Sequence, residues 1–219
     1  MRDIPVCRDL YVQYGCGPCA PVNWRNFDAS PTLQLQKLPL VGRVFRSHFV
    51  AERGYLVFTP NVEYGNIVRG LPVKSGACNA IYCSHVLEHL TLEDARVALR
   101  HSYDYLAPDG IFRFVLPDLE HLAKRYLESS DVGASIWFME HSGLGRSTRN
   151  RGIEGCLREW LGNSSHLWMW DFRSLSFELE QVGFRNIRRA EFSDSREPRF
   201  ADVEDIGRWS NCVGVECFR

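Results

Sequence analysis

The chain has 219 residues, 26 Lys+Arg against 27 Asp+Glu for a formal net charge of −1, and 45% hydrophobic residues. That is enough for one α/β domain with a full core, and the balanced charge excludes a general nucleic-acid binder, which carries a basic excess. No apolar run is long enough to span a bilayer, and the first ten residues, MRDIPVCRDL, lack the apolar core of a signal peptide, so a cytoplasmic location is expected.

Residues 10–14, LYVQY, read as a strand ending in the glycine turn Gly15-Cys16-Gly17. Residues 24–29, WRNFDA, read as a second strand ending at an acid. Only six residues separate Gly17 from Trp24, whereas a helical crossover between parallel strands needs about a dozen or more. Residues 79–83, NAIYC, form a third, buried strand. Thr91-Leu-Glu-Asp94 is a capping-box-like start to a helix carrying Ala95, Leu99, Tyr103 and Leu106 on one face. Pro108-Asp109-Gly110 reads as a turn, IFRFVL (111–116) as a strand and DLEHLAKRYL (118–127) as a helix. Asp171 caps a further helix with Phe172, Leu175, Leu179 and Val182 on one face and Gly183 as its stop. FRNIRRAEF and VGVECF close the chain as strands. Such alternation implies a mostly parallel sheet with helices on both faces.

The stretch from 128 to 170 breaks this pattern. It is rich in glycine, carries Arg146, Arg149 and Arg151, and ends in HLWMWDF. An insertion of that length is usually functional, and it follows the C-terminal end of a strand, where open α/β sheets bind ligands. A lid is expected here, with Trp168 and Trp170 lining an acceptor pocket and the arginines pairing with an anionic acceptor.

Three motifs compete to explain the chemistry. Cys16-Gly17-Pro18-Cys19 matches the dithiol of thioredoxins, but that pair needs a following helix to lower one thiol pKa, and Pro21 and the strand at Trp24 leave no room for it. The eight cysteines are otherwise scattered, as reduced and mostly buried thiols are. His85-Val-Leu-Glu-His89 matches the inverted zinc-protease pattern H-x-x-E-H. His85 and His89 would share a helix face, so zinc ligation is geometrically feasible; the plainer alternative leaves Glu88 hydrogen-bonded at a helix terminus. The third motif is a nucleotide site, with Gly15-x-Gly17 after one strand and Asp28 ending the next. The third glycine and the helix that would hold a pyrophosphate are missing. A ligand with a ribose and no phosphates is implied, and S-adenosyl-L-methionine (SAM) satisfies that.

The ordered set YVQYGCGP, NWRNFDASP, VEYGNIVRGLPVKSGACNAIYCSHVLEHL and LRHSYDYLAPDGIFRFVLPDLEHLAKRYL resembles the class I SAM-dependent methyltransferases. It is closest to a bacterial branch with a SHVLEHL motif, often found near polysaccharide or cell-surface biosynthesis genes. The resemblance covers nearly the whole chain and is most specific at 81–90 and 105–119. It implies a single Rossmann-like domain over 1–219, with a seven-stranded sheet whose last strand, VGVECF, is antiparallel. It also implies that Tyr14, Gly15, Cys16 and Gly17 form the loop against the methionine part of SAM, and that Asp28 binds the ribose. Asn66 and Leu71 would meet the adenine. Ser84 and His85 would face the methyl group and the acceptor, unless His85 is a helix-start residue with a structural hydrogen bond; Asp118 ends its strand toward the same region or caps the helix that follows, and Trp168 comes to the acceptor from the expected lid. His85, with an ordinary pKa of about 6.5, is the candidate general base. The departures are Gln13, Asn66 and Asn79, where acids are usual. The expected activity is methyl transfer from SAM to a small-molecule or saccharide-type acceptor, at oxygen. The departures motivate an alternative, a non-catalytic SAM-binding protein acting through a partner, and His85, Glu88 and His89 motivate a more distant one, a metal hydrolase. No nucleic-acid partner and no membrane span are expected.

Overall fold

The structure, a computed structural model, describes residues 10–38, 57–146 and 165–219. Seven strands run β1 (Leu10–Tyr14), β2 (Arg25–Asp28), β3 (Val62–Tyr64), β4 (Cys78–Ser84), β5 (Leu106–Pro117), β6 (Arg185–Ala190) and β7 (Cys212–Phe218). They form one sheet in the order β3-β2-β1-β4-β5-β7-β6. Every pairing is parallel except those of β7, which is antiparallel to both β5 and β6. The helices are α1 (Pro31–Lys37), α2 (Leu92–Tyr105), α3 (Leu119–Glu128), α4 (Ala134–His141) and α5 (Phe172–Val182). The Rossmann-like architecture and the antiparallel last strand match the expectation. No helix among the described residues is long and apolar enough to cross a membrane.

Alternating side chains divide the sheet into two faces, as the period of two dictates. Val12, Tyr14, Ile81, Cys83, Phe112, Phe114, Val213 and Val215 point to one face and pack under α2 and α5 through Leu99, Leu175 and Leu179. Both helices are capped as their sequences require. Thr91 accepts from Asp94 N, Asp171 and Ser174 form a reciprocal capping box, and Gly183 closes α5 in the left-handed region. The opposite face carries Tyr11, Ala80, Tyr82, Ile111 and Val115, and here the covering segment is irregular. Short 3₁₀ turns at Pro198–Asp202 and Ile206–Arg208 bring Phe200 and Val203 down onto the strands. Arg113 holds that segment in place. It is wholly buried on β5, pairs with Glu204 (2.5 Å), Asp194 (2.9 Å) and Glu216 (3.1 Å), and donates to the Glu191 carbonyl (2.6 Å). A cation of this kind is tolerated inside only because each donor is matched.

The link from β1 to β2 is ten residues, 15–24, and contains no helix. Two buried amides take the helix's place. Gln13 Nε2 donates to the Cys19 carbonyl (2.7 Å) and to Asn26 Oδ1 (2.6 Å). Asn26 Nδ2 donates in turn to the carbonyls of Pro21 (3.0 Å) and Trp24 (2.8 Å). An acid at position 13 would have only acceptors to offer a carbonyl, so the amide here serves the short crossover.

Three features differ from the sequence expectation. The segment 106–110 is not a free turn but the start of β5, where a register shift against β4 lets Pro108-Asp109-Gly110 bulge out. Leu106 accordingly lies in β5 rather than on the face of α2. α1 and β3 carried too few residues for periodicity to reveal them.

Candidate functional site

The strand order reverses direction between β1 and β4, and ligands of open α/β sheets bind outside the strand C-termini at such a switch point. Two turns meet there. Gly15 follows β1 with φ +64°, and a Cβ on it would lie 2.2 Å from Val86 Cγ2 in the turn after β4. Gly17 also has positive φ (+55°), but a Cβ on it would touch nothing within 4 Å. The backbone of Gly17 therefore faces open space, as a surface a ligand lies against must.

Asp28, at the end of β2, fastens this loop. Its Oδ2 accepts from Gly17 N at 3.0 Å and its Oδ1 from Ser30 N at 2.8 Å. Each carboxylate oxygen has a further lone pair, so two hydroxyls can still be received at this otherwise buried acid. The glycine turn and Asp28 thus fit a ribose-bearing, phosphate-free cofactor.

The remaining sequence candidates distribute unevenly. The side chain of Tyr14 points away from the loop into the core, where its hydroxyl meets Ser102 Oγ at 3.2 Å; only its backbone adjoins the loop. Cys16 is likewise turned inward, against Leu33, Phe58 and Val62. Burial pushes its thiol pKa up to about 12, and burial also raises that of Cys19. That is the opposite of an active dithiol, whose attacking thiol is depressed. Asn66 lies after β3, with its Oδ1 accepting from Val68 N (2.9 Å) and Arg69 N (3.3 Å), which ties its side chain to its own turn. Leu71 is part of the core, held by a Tyr105 hydroxyl that receives Leu71 N at 2.8 Å. It packs against Gly65 rather than standing free to meet a base.

On the other side, Ser84 ends β4 and is buried. His85 follows with φ +55°, rare for a residue bearing a Cβ. Its Nε2 lies 3.0 Å from the Arg208 carbonyl and its Nδ1 3.1 Å from Glu88 Oε1. Burial opposes a charge on the ring, but Cys212, Glu88 and the Arg208 carbonyl outweigh it and raise the pKa to about 10. A general base needs a free lone pair. Both ring nitrogens of His85 meet partners within the fold, Nε2 the Arg208 carbonyl and Nδ1 the Glu88 carboxylate, and the raised pKa disfavours a base role.

Asp118 caps α3, accepting from Glu120 N at 2.9 Å and from Arg189 Nη1 at 3.2 Å, so both of its oxygens are engaged by the fold. Trp170 is buried in the core with its Nε1 toward the Leu87 carbonyl (3.4 Å). Trp168 is 41% exposed, and its backbone N donates to the Glu88 carbonyl at 3.2 Å. Of the arginines, Arg146 reaches Ser165 Oγ at 3.1 Å; Arg149, Arg151 and the central part of the expected lid fall at 147–164, outside the described residues. A cavity of about 480 Å³ is lined by Leu119, Ala123, Leu127, Asp171 and Arg173 on the outer side of α3, away from the glycine turn.

Sequence reasoning missed two contributors. Arg208 supplies the carbonyl that holds His85 from 123 residues away. His166 approaches Glu88 and His89 from beyond the insertion. Neither carries a local signal, since both act only through tertiary contact.

A search of curated proteins finds no match. Among solved structures, a SAM-dependent methyltransferase from Archaeoglobus fulgidus aligns over 98% of this chain and 89% of its own, with a TM-score of 0.48 and 14% identity. Haemonchus contortus phosphoethanolamine N-methyltransferase 2, solved with SAM, aligns over 96% of this chain and 48% of its own (TM-score 0.48, 9% identity). Human N-acetylserotonin methyltransferase, also solved with SAM, aligns over 98% and 48% (TM-score 0.46, 12% identity). The model of the methyltransferase-domain family matches residues 15–189, from the glycine turn to the end of β6, and the chain belongs to that family of SAM-dependent methyltransferases.

Proposed function

We propose that the chain transfers a methyl group from SAM to an oxygen of a small, saccharide-type acceptor in the crevice between the β1 and β4 turns. The observation that carries this reading is the open backbone face at Gly17, tied through its own N–H to the acid that ends β2. Gly15, Gly17 and Asp28 would hold the cofactor, with the Asn66 amide toward its base. SAM supplies an electrophilic methyl on a sulfonium that is already a good leaving group. The chain's contribution is then to place the acceptor in line and exclude water, which can supply up to about 7–11 kcal/mol. His85 serves as a positioning residue, fixing the turn after β4 through Arg208 and Glu88. The half-exposed indole of Trp168 offers an apolar face beside polar groups, the usual mixture in a small-molecule site. The saccharide reading draws on the resemblance of 81–90 and 105–119 to the branch described above.

The test has two arms. S-adenosylhomocysteine at a hundredfold excess over its Kd should stabilise the protein by about 2.7 kcal/mol, read as a rise in Tm. Gly17→Val should lose that rise, because a branched side chain fills the open space. In the second arm, labelled methyl from SAM should appear on the oxygen of hydroxylated sugars. Absence of any Tm shift at millimolar ligand would overturn the binding mode; label found only on nitrogen or protein acceptors would overturn the acceptor class.

A further inference from the structure

The motif His85-Val-Leu-Glu-His89 is only partly used by the reading above. Glu88 is wholly buried, and neither of its oxygens has an aligned hydrogen-bond partner among the described residues. The His85 ring lies 3.1 Å from Oε1, off the hydrogen-bond direction. His85 stands beside Oε1 only, Oε2 has no partner among the described residues, and a buried carboxylate oxygen left so is costly unless a further group satisfies it. Two imidazoles stand next to it. Glu88, His89 and His166 each offer one ligand atom, and these atoms all lie within 4.8 Å of one another.

The two rings are oriented for ligation. His89 Nδ1 lies 3.1 Å from the Ser165 carbonyl and His166 Nδ1 lies 2.6 Å from the Ser142 carbonyl. A carbonyl can only accept, so each Nδ1 carries the hydrogen, and Nε2 is the nitrogen whose lone pair a neutral ring offers to a cation. A backbone carbonyl on the far nitrogen is the arrangement that fixes tautomer and ring orientation in metal-binding histidines. The two segments are also laced together. Leu167 N and Trp168 N both donate to the Glu88 carbonyl, at 2.7 and 3.2 Å, and His166 N donates to the Gly143 carbonyl at 3.2 Å. Gly143, with φ +68°, makes the approach sterically feasible, since a Cβ there would lie 2.4 Å from His166 Nδ1.

We propose that Glu88, His89 and His166 form a binding site for a first-row divalent cation of the Zn²⁺ type. Two imidazole nitrogens and one carboxylate suit Zn²⁺ and its neighbours, whereas Mg²⁺ and Ca²⁺ prefer all-oxygen sets. Ligand atoms about 2.0–2.1 Å from a tetrahedral Zn²⁺ sit roughly 3.3 Å apart, so the cation draws the three groups inward by at most about 1.5 Å. Three protein ligands leave a fourth position open to water, as at catalytic rather than structural zinc sites. This set differs from the His85-based one suggested by the motif alone, because His85 turns to Arg208 and His166 arrives from across the insertion. The site stands on these residues and does not depend on the acceptor proposed above.

The experiment uses the full chain, stripped with a chelator and titrated with Zn²⁺ alone by calorimetry and with Co²⁺ alone by visible absorption. One equivalent of Zn²⁺ should bind, raise Tm, and in the Co²⁺ form give the d–d bands of a low-coordinate nitrogen–oxygen site. His166→Ala, at a half-buried position, should weaken binding at least tenfold and abolish the Co²⁺ bands; Glu88→Gln, which keeps the buried volume, should do the same. If Glu88→Gln fails to fold, His166→Ala decides. Failure to bind one equivalent of Zn²⁺, or binding undiminished by His166→Ala, would overturn the site, and neither result bears on SAM binding.

Discussion

The two turns that bound the crevice are built on opposite principles. The glycine turn after β1 is made of backbone. Its one charged group, Asp28, spends a lone pair of each oxygen on the chain's own N–H groups, and its cysteine is turned into the core. The turn after β4 is made of side chains. It packs a strained His85, a buried Glu88 and two further histidines into a few ångströms, and borrows carbonyls from residues far along the chain. A backbone cradle recognises a ligand by shape and is the same whatever acceptor is used. A cluster of titratable side chains carries the particular chemistry. On the function proposed above, the glycine turn would be the generic cofactor half and the turn after β4 the half where this chain is individual.

The largest expected effect tests how far the second turn depends on remote charge. Arg113 lies on β5, yet it anchors the 191–211 segment that delivers the Arg208 carbonyl to His85. Arg113→Ala leaves Glu204 buried without its cation, while Glu216 keeps Arg188 (2.8 Å), and removing one member of a buried pair costs about 3–5 kcal/mol. Urea unfolding should show that loss. If the variant retains wild-type stability, the segment is held by Phe200 and Val203 instead, and the contrast between the turns weakens.

A second effect, of comparable size, tests the first turn. Gly15→Val forces a side chain into Val86 and onto positive φ, costs of about 1–3 kcal/mol each by overpacking and by backbone strain. Val86→Ala in the same chain should recover the overpacking part and leave the strain. No recovery in the double variant would mean that the two turns are not in contact.

The smallest effect concerns pH. Cys16 and Cys78 have folded pKa values of about 12, raised by burial from an ordinary 9.0. Above pH 9 the unfolded chain releases these protons while the folded chain retains them, so the folded state binds more protons and stability falls as pH rises. The contribution is complete below about pH 9 and is lost progressively between 9 and 12. Cys16→Ser should flatten the alkaline slope by about one proton and leave S-adenosylhomocysteine affinity within a factor of a few. An unchanged slope would place that thiol in water.

Much of this architecture was legible in the chain itself. Strand alternation, the caps at Thr91 and Asp171, the Gly183 stop and the glycine turn with its following acid are local signals, each set by the backbone needs of a few adjacent residues. They were sufficient for the order of the longer elements, and left α1, β3 and α4 unseen. What only the tertiary structure decided is which polar groups find each other. Gln13, seen alone, is a missing acid; folded, it laces a crossover too short for a helix to Asn26 and Cys19. Asp118, seen alone, is a substrate ligand or a helix cap; folded, it caps α3 and is bound by an arginine 71 residues away. His85 has the spacing of a metal ligand, and His166 has no motif at all, yet it is His166 that stands beside Glu88 and His89. Periodicity tells which face of an element is buried, because burial depends on the element's own pattern. It does not tell what lies opposite, because that partner is chosen by packing between segments the chain keeps far apart.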